Sequence, residues 1–253
     1  MIYNNVLEAV GNTPVIRLNS ITPADGAEIL VKYEAVNIGG SVKTRTALNM
    51  IEEAEKSGLI KSDTIIVEPT SGNQGIGIAL VGAVKGYRVK IVMPDSVSEE
   101  RRKLVAAYGA EVILVHDGGD IGKCIDECLS TAMRLKAENP KVYVPQQFVN
   151  PGNNMAHKKY TAAEILSQVN GPIDGFCSGI GTGGTLSGIG EVLKEANPNI
   201  EIWAVEPENA AILSGHKVGT HIQMGIGDGV IPENLNREIY DSICIVTDDE
   251  AVD

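Results

Sequence analysis

Two hydrophobic rhythms alternate along the chain. Short apolar runs rich in Val and Ile, such as "DTIIVEPT" (63–70), "RVKIVMP" (88–94), "AEVILVH" (110–116) and "IEIWAVEP" (200–207), read as buried strands. "AEILVKYE" (27–34), "VYVPQQ" (142–147) and "IDGFCSG" (173–179) are shorter versions of the same pattern. Between them lie segments of helical period. In "RTALNMIEEAEKSGL" (45–59), Ala47, Met50, Ile51 and Ala54 share one face, and Glu52, Glu53 and Lys56 another. Helices are likewise predicted over "GIGIALVGAVKGY" (75–87), "SEERRKLVAAYG" (98–109), "IGKCIDECLSTAMRLKAENP" (121–140), "MAHKKYTAAEILSQV" (155–169) and "TLSGIGEVLKEANP" (185–198). Apolar strands alternating with helices predict an α/β fold whose parallel sheets are covered on both faces. Ligands of such sheets bind at the carboxyl ends of the strands, in the turns that open the helices.

The last residues, "ICIVTDDEAVD", read as a strand followed by a capping box, Thr247 with Glu250. A helix is announced and the sequence stops in its first turn, so a further C-terminal segment is expected.

Composition narrows the picture. Hydrophobic residues make up 43% of the 253 but aromatics only 4%, so the core must be built from Ala, Val, Ile and Leu. The formal net charge of −12, with no basic run, argues against a nucleic-acid partner. Cys124 and Cys128 are four apart with no matching Cys or His pair, and Cys177 and Cys244 stand alone. Reduced thiols, no metal site and a cytoplasmic location are the expectation. The start, "MIYNNVLEAVGNTPV", has neither a basic nor an apolar leader segment, and nothing approaches the ~18 consecutive apolar residues of a membrane span.

The candidate chemistry sits in the turns. "FCSGIGTGGTLSG" leaves a strand and opens a helix, so the backbone N–H groups of Gly181, Thr182, Gly183, Gly184 and Thr185 converge on an anion site suited to phosphate. The same stretch satisfies G-x-G-x-x-G through Gly179, Gly181 and Gly184. Glu206, at the end of the next strand, is a candidate for a nucleotide ribose. That alternative, a nicotinamide-dependent oxidoreductase, leaves three features without a role. One is "EPTSGNQGIG" (68–77), whose Thr70, Ser71 and Asn73 at a helix start suit a carboxylate. Another is "PQQFVNPGN" (145–153), where Gln146 and Gln147 end a strand. The third is Lys43, after the tight Gly39-Gly40-Ser41 turn, at a helix start where the dipole disfavours a cation. A phosphate cradle, a carboxylate cradle and a single lysine together suit pyridoxal phosphate, whose aldehyde a lysine captures as a Schiff base.

Five motifs, "GNTPVIRLN", "GGSVKTR", "EPTSGNQGIGIA", "GIGTGGTLSG" and "GIGDGVIPENL", occur in order across the chain. In them the chain resembles the cysteine synthase (O-acetylserine sulfhydrylase) family of fold type II, tryptophan synthase β-like, pyridoxal-phosphate enzymes. The resemblance implies a larger cofactor-binding domain (1–39 and 149–253), a smaller mobile domain (40–148) and a homodimer. It implies Lys43 as the Schiff-base lysine and α-proton base, Asn73 at the cofactor's ring hydroxyl, and Gly181, Thr182, Gly183, Gly184 and Thr185 at its phosphate. Thr70, Ser71, Asn73, Gln74 and Gln147 would bind the substrate carboxylate, with Gly225 and Gly227 in the loop flanking the substrate. The implied reaction is β-replacement, L-cysteine from O-acetylserine and sulfide, and an implied partner is the C-terminal peptide of a serine acetyltransferase. A hydroxyl residue beyond Asp253 would contact the pyridine nitrogen.

The chain departs from the family pattern at Ile38, Thr44 and Gln74, where Pro, Asp and Thr are usual, and at Asp228, where a small Ala is usual. A carboxylate at 228 would repel sulfide and could activate water as a general base, which points to a cysteine-consuming, hydrogen-sulfide-producing lyase or hydrolase as the alternative. Thr44 also admits a non-catalytic binding member.

Overall fold

The computed structural model describes residues 2–252 apart from 21, 23, 24 and 120, so residue 253, the last of the expected C-terminal helix, lies outside the described residues. The chain opens with an antiparallel ribbon, β1 (Val15–Arg17) against β2 (Leu30–Lys32). Helix α1 (Lys43–Lys56) follows. A four-stranded parallel sheet then forms from β3 (Ile65–Pro69), β4 (Arg88–Pro94), β5 (Glu111–Val115) and β6 (Val142–Tyr143), in the order β5-β4-β3-β6. Its connections are α2 (Asn73–Lys85), α3 (Glu99–Ala107) and α4 (Ile121–Glu138).

The strand sequences explain the two-sided cover. Ile66, Ile91 and Met93 pack into one core with Ala47 and Ile51 of α1 and Ile78 of α2. Ile65, Val67 and Val92 point the other way, into a second core with Cys124, Cys128 and Ala132 of α4. Successive residues thus feed opposite faces, and the strands read as unbroken apolar runs. Cys124 and Cys128 are buried and free, and burial pushes the Cys128 thiol up to about 12.

A second parallel sheet, β7 (Gly175–Gly179), β8 (Glu201–Pro207) and β9 (Ser242–Val246), packs Ile202 and Ala204 against α7 (Gly184–Ala196). Here the expected two-sided cover is not met among the described residues. Trp203 of the opposite face is 44% exposed, and its register neighbours Cys177 and Ser242 are exposed beside it. No helix among the described residues is long and apolar enough to cross a membrane.

Two elements differ from the sequence expectation for identifiable reasons. The helix expected over 155–169 begins earlier, because the Asn150 side chain accepts the Gly152 N–H at 2.8 Å and Pro151 takes the first turn. It then runs as α5 (Pro151–Ala156), a π-helical turn (His157–Thr161) and α6 (Ala162–Gln168). The strand expected over 142–147 stops at Tyr143, because Gln146 adopts φ +59°. The capping box forms as expected: Thr247 N–H donates to Glu250 Oε2 at 2.9 Å, and Glu250 N–H to Thr247 Oγ1 at 3.1 Å.

Candidate active site

Lys43 is the first residue of α1 and lies on the approach that its glycines predict. Gly39 and Gly40 have φ of +86° and +78°, and a Cβ on Gly39 would strike the Thr44 hydroxyl. Helix α2 crosses α1 at Gly77, where a Cβ would lie 3.0 Å from the Lys43 carbonyl oxygen. The starts of the two helices are therefore held together by backbone proximity. Burial lowers the Lys43 pKa, and the charge of Asp228 partly restores it. Its Nζ lies 3.4 Å from Thr182 Oγ1, and it makes no ion pair among the described residues.

Two residues on, Arg45 anchors the same turn. It donates to both oxygens of Glu164 in α6 and both oxygens of Glu34, and Lys32 adds a 2.7 Å contact to Glu164. Burial alone would raise the Glu164 value, but Arg45 and Lys32 outweigh it and hold the carboxyl down at about 2.

The turn from Ile180 to Thr185 faces Lys43. Gly183 has φ +76° and lies against the backbone of Leu235, with its Cβ position 2.9 Å from the Leu235 nitrogen. Gly184 closes onto the Asn153 carboxamide, and a Cβ on Gly181 would lie 2.7 Å from the Gly225 carbonyl oxygen and 3.3 Å from Asp228 Oδ2. The Thr182 oxygen accepts from Asn153 Nδ2 at 2.8 Å and from Lys43. Both of its lone pairs are then engaged, which leaves its O–H to donate away from them. Thr185 Oγ1 contacts His157 Nε2 at 3.2 Å. Burial, reinforced by the charges of Lys43 and Arg45, pushes His157 down to about 3, so it is neutral.

The third wall holds the other candidates. Thr70 Oγ1 accepts the Gly72 N–H at 3.1 Å, and Arg101 donates to the Ser71 carbonyl at 3.3 Å. Asn73 is exposed at the start of α2. Gln74 is 1% exposed and its carboxamide oxygen accepts from Thr46 at 2.9 Å, so this side chain is engaged in the α1–α2 contact. Gln147 is buried, and its carbonyl accepts from Asn153 at 2.9 Å and Asn234 at 2.7 Å. Gly225 and Gly227 have φ of +94° and +68°. Gly227 is tied to the Ile180 carbonyl at 2.8 Å, and His221 reaches the Gly227 carbonyl at 3.3 Å. Asp228 keeps accessible surface although protein surrounds it closely, the situation of a cleft wall. Burial raises its pKa, and the charges of Lys43 and His221 oppose that.

The structure therefore joins Lys43, Thr182 and Gln147 through Asn153, and Gly181 and Gly225 to Asp228. Asn153, His157, Arg45 and Glu68 were not singled out by the sequence. The signal for Glu68 was present, as a lone carboxylate inside an apolar run. The ribose role considered for Glu206 is overturned: the N–H groups of Leu213 and Ser214 and the Ser214 hydroxyl occupy its oxygens at 2.9 to 3.2 Å. The Gly179 position is likewise filled, by Ile226 at 2.9 Å.

The residues fit pyridoxal phosphate. The outward Thr182 O–H and the free N–H groups opening α7 suit a phosphate, and a lysine whose proton is weakened by burial suits an aldehyde.

Comparison with known proteins agrees. The model of the pyridoxal-phosphate dependent enzyme family matches residues 6–253. A cysteine synthase of Staphylococcus aureus is 48% identical over 251 residues, covering 99% of this chain and 79% of that protein. A cysteine synthase of a Flavobacterium species is 45% identical over 251 residues, covering 99% and 80%. Among solved structures, a hydrogen sulfide-producing enzyme from Fusobacterium nucleatum superposes with a TM-score of 0.92 at 47% identity, covering 100% of this chain and 82% of that one. A cysteine synthase from Entamoeba histolytica gives 0.91 at 41% identity, covering 98% and 73%. A lysine set between two helix starts, in a sequence alike over almost its whole length, has one reading: the chain belongs to the pyridoxal-phosphate dependent enzymes, with the fold of type II.

Proposed function

We propose that this enzyme performs β-replacement on an amino acid, forming L-cysteine from O-acetylserine and sulfide. The observation that carries this is Lys43, half-buried, with no ion pair among the described residues and 3.4 Å from Thr182 in the anion-binding turn. Pyridoxal phosphate, when bound, supplies an aldehyde for the substrate amine and draws electrons from the α-carbon.

The chain's residues do the rest. Lys43 Nζ would hold the aldehyde and would serve as the base that receives the substrate α-proton. Gly181, Thr182, Gly183, Gly184 and Thr185 hold the phosphate, and Asn73 the ring hydroxyl. Thr70, Ser71, Asn73, Gln74 and Gln147 receive the substrate carboxylate, with Gly225 and Gly227 flanking it. The engaged Gln74 side chain leaves its backbone N–H for that role. Residues 40–148 act as the smaller domain and close over the carboxylate, excluding water.

The protein works in the cytoplasm as a homodimer, a reading supported by the buried free thiols and by exposed Ile16, Ile29, Val31 and Tyr33 on the β1–β2 ribbon. The C-terminal peptide of a serine acetyltransferase is a further partner for the same cleft.

A second reading rests on Asp228, whose carboxylate senses the Lys43 charge and lies against Gly181. As a general base it would take a proton from water, so that cysteine is consumed, hydrogen sulfide released and serine formed. The similarity to the hydrogen sulfide-producing enzyme supports it.

Borohydride reduction with added pyridoxal phosphate, followed by peptide mapping, tests the central assignment. A pyridoxyl group on Lys43 is expected, and its absence from a folded protein would overturn the reading.

A further inference from the structure

Glu68 is a carboxylate with no accessible surface, in the strand β3 that lies between β4 and β6. No cation pairs with it among the described residues. Its oxygens accept two backbone N–H groups, from Gln146 at 3.0 Å and Gln147 at 3.2 Å. To present both donors the chain places Gln146 at φ +59°, a conformation rare outside glycine. In its ionised form, held above about pH 7, Glu68 is suited to this task because it offers two acceptor oxygens and no donor.

The bonds continue beyond the turn. The Gln147 carbonyl accepts from Asn153 Nδ2 at 2.9 Å, and the same amide nitrogen donates to the Thr182 hydroxyl at 2.8 Å. Thr182 in turn faces Lys43 Nζ. Asn234 Nδ2 fixes the Gln147 carbonyl from the other side at 2.7 Å. The chain of bonds therefore runs from the first parallel sheet to the turn that opens α7 beside the second.

We propose that Glu68 is a positioning residue: by fixing the Gln146–Gln147 turn it sets, through Asn153, the direction of the Thr182 hydroxyl beside Lys43. It links the turn assigned to the substrate carboxylate with the turn assigned to the cofactor phosphate, and so rests on the cofactor reading above. Asn153→Ala would remove the relay, and Glu68→Gln would set an amide nitrogen against a backbone N–H, losing one of the two bonds.

The test compares pyridoxal phosphate binding, read from the absorbance of the lysine-bound cofactor, in the parent, Glu68→Gln, Asn153→Ala and the double variant. Glu68→Gln is expected to weaken Kd about tenfold. In the Asn153→Ala background it is expected to add less than about twofold, because the two act in series. Unchanged Kd, or penalties that multiply, would overturn the proposal. Amide exchange in the parent needs no variant: cofactor binding is expected to slow exchange at the Gln146 and Gln147 amides, and unchanged exchange there would also overturn it. A parent that binds no cofactor at Lys43 would overturn the cofactor reading itself, and this proposal with it.

Discussion

Arg45 lies fork-to-fork on Glu164, with Nη1 2.6 Å from Oε1 and Nη2 2.7 Å from Oε2. The guanidinium is nearly inaccessible and also spans Glu34, so it carries two carboxylates at once. Removing it with Arg45→Met leaves both acids without their main partner, at a cost of about 3–5 kcal/mol. Urea denaturation of parent and variant reads this directly, and a loss under about 1 kcal/mol would show the network to be dispensable.

The same pair predicts an acid limb. The Glu164 carboxyl sits at about 2 in the folded chain, below its ordinary value of 4.5. Its contribution is therefore complete above about 4.5 and is lost as pH falls toward 2. Melting temperature against pH is expected to fall through that window, and more gently in Glu164→Gln. Glu68 has the opposite sign. Burial raises it from 4.5 to about 7 against the pull of two backbone amides, so the folded state binds the extra proton and stability declines as pH rises from 4.5 to 7.

Asp228→Asn separates the two reactions. It keeps the shape beside Gly181 and removes the base. Serine formation from cysteine is expected to fall about a hundredfold while cysteine formation from O-acetylserine and sulfide persists. Equal serine formation in parent and variant would remove water activation from Asp228.

Gly183→Ala and Gly86→Ala form a controlled comparison. Both positions have positive φ, +76° and +80°, but only at Gly183 does the new methyl meet backbone, that of Leu235. Gly86→Ala is expected to cost about 1 kcal/mol. Gly183→Ala is expected to cost more and to abolish cofactor binding, measured as absorbance after dialysis, because the 181–185 turn must open.

Much of this was legible beforehand. The runs at 63–70 and 88–94 were legible as buried strands because a sheet covered on both faces makes most of their positions apolar, and they pair in parallel. The turn before Lys43 was legible because glycine pairs announce a left-handed backbone. Gln146 was not, since its conformation is set by a carboxylate 78 residues away, and local propensity carries no trace of that. Asn153 was hidden for a similar reason: it reads as one of several polar residues opening a helix, and only the fold brings it to Thr182. Trp203 broke the expectation of two-sided cover, because alternation along β8 sends it away from Ile202 and Ala204.

The π-helical turn at His157–Thr161 has a consequence for phase. Asn153 and Glu164 are eleven residues apart, and an unbroken α-helix would set them within about 20° of each other, on one stripe. They have different partners, Thr182 for Asn153 and Arg45 for Glu164. One surplus residue in the coil turns the two stripes out of step. Straightening 157–161 into a regular α-helix with every residue kept would bring Asn153 and Glu164 onto one stripe and force the coil to give up either the relay to the lysine's neighbour or the anchor of the lysine's own helix.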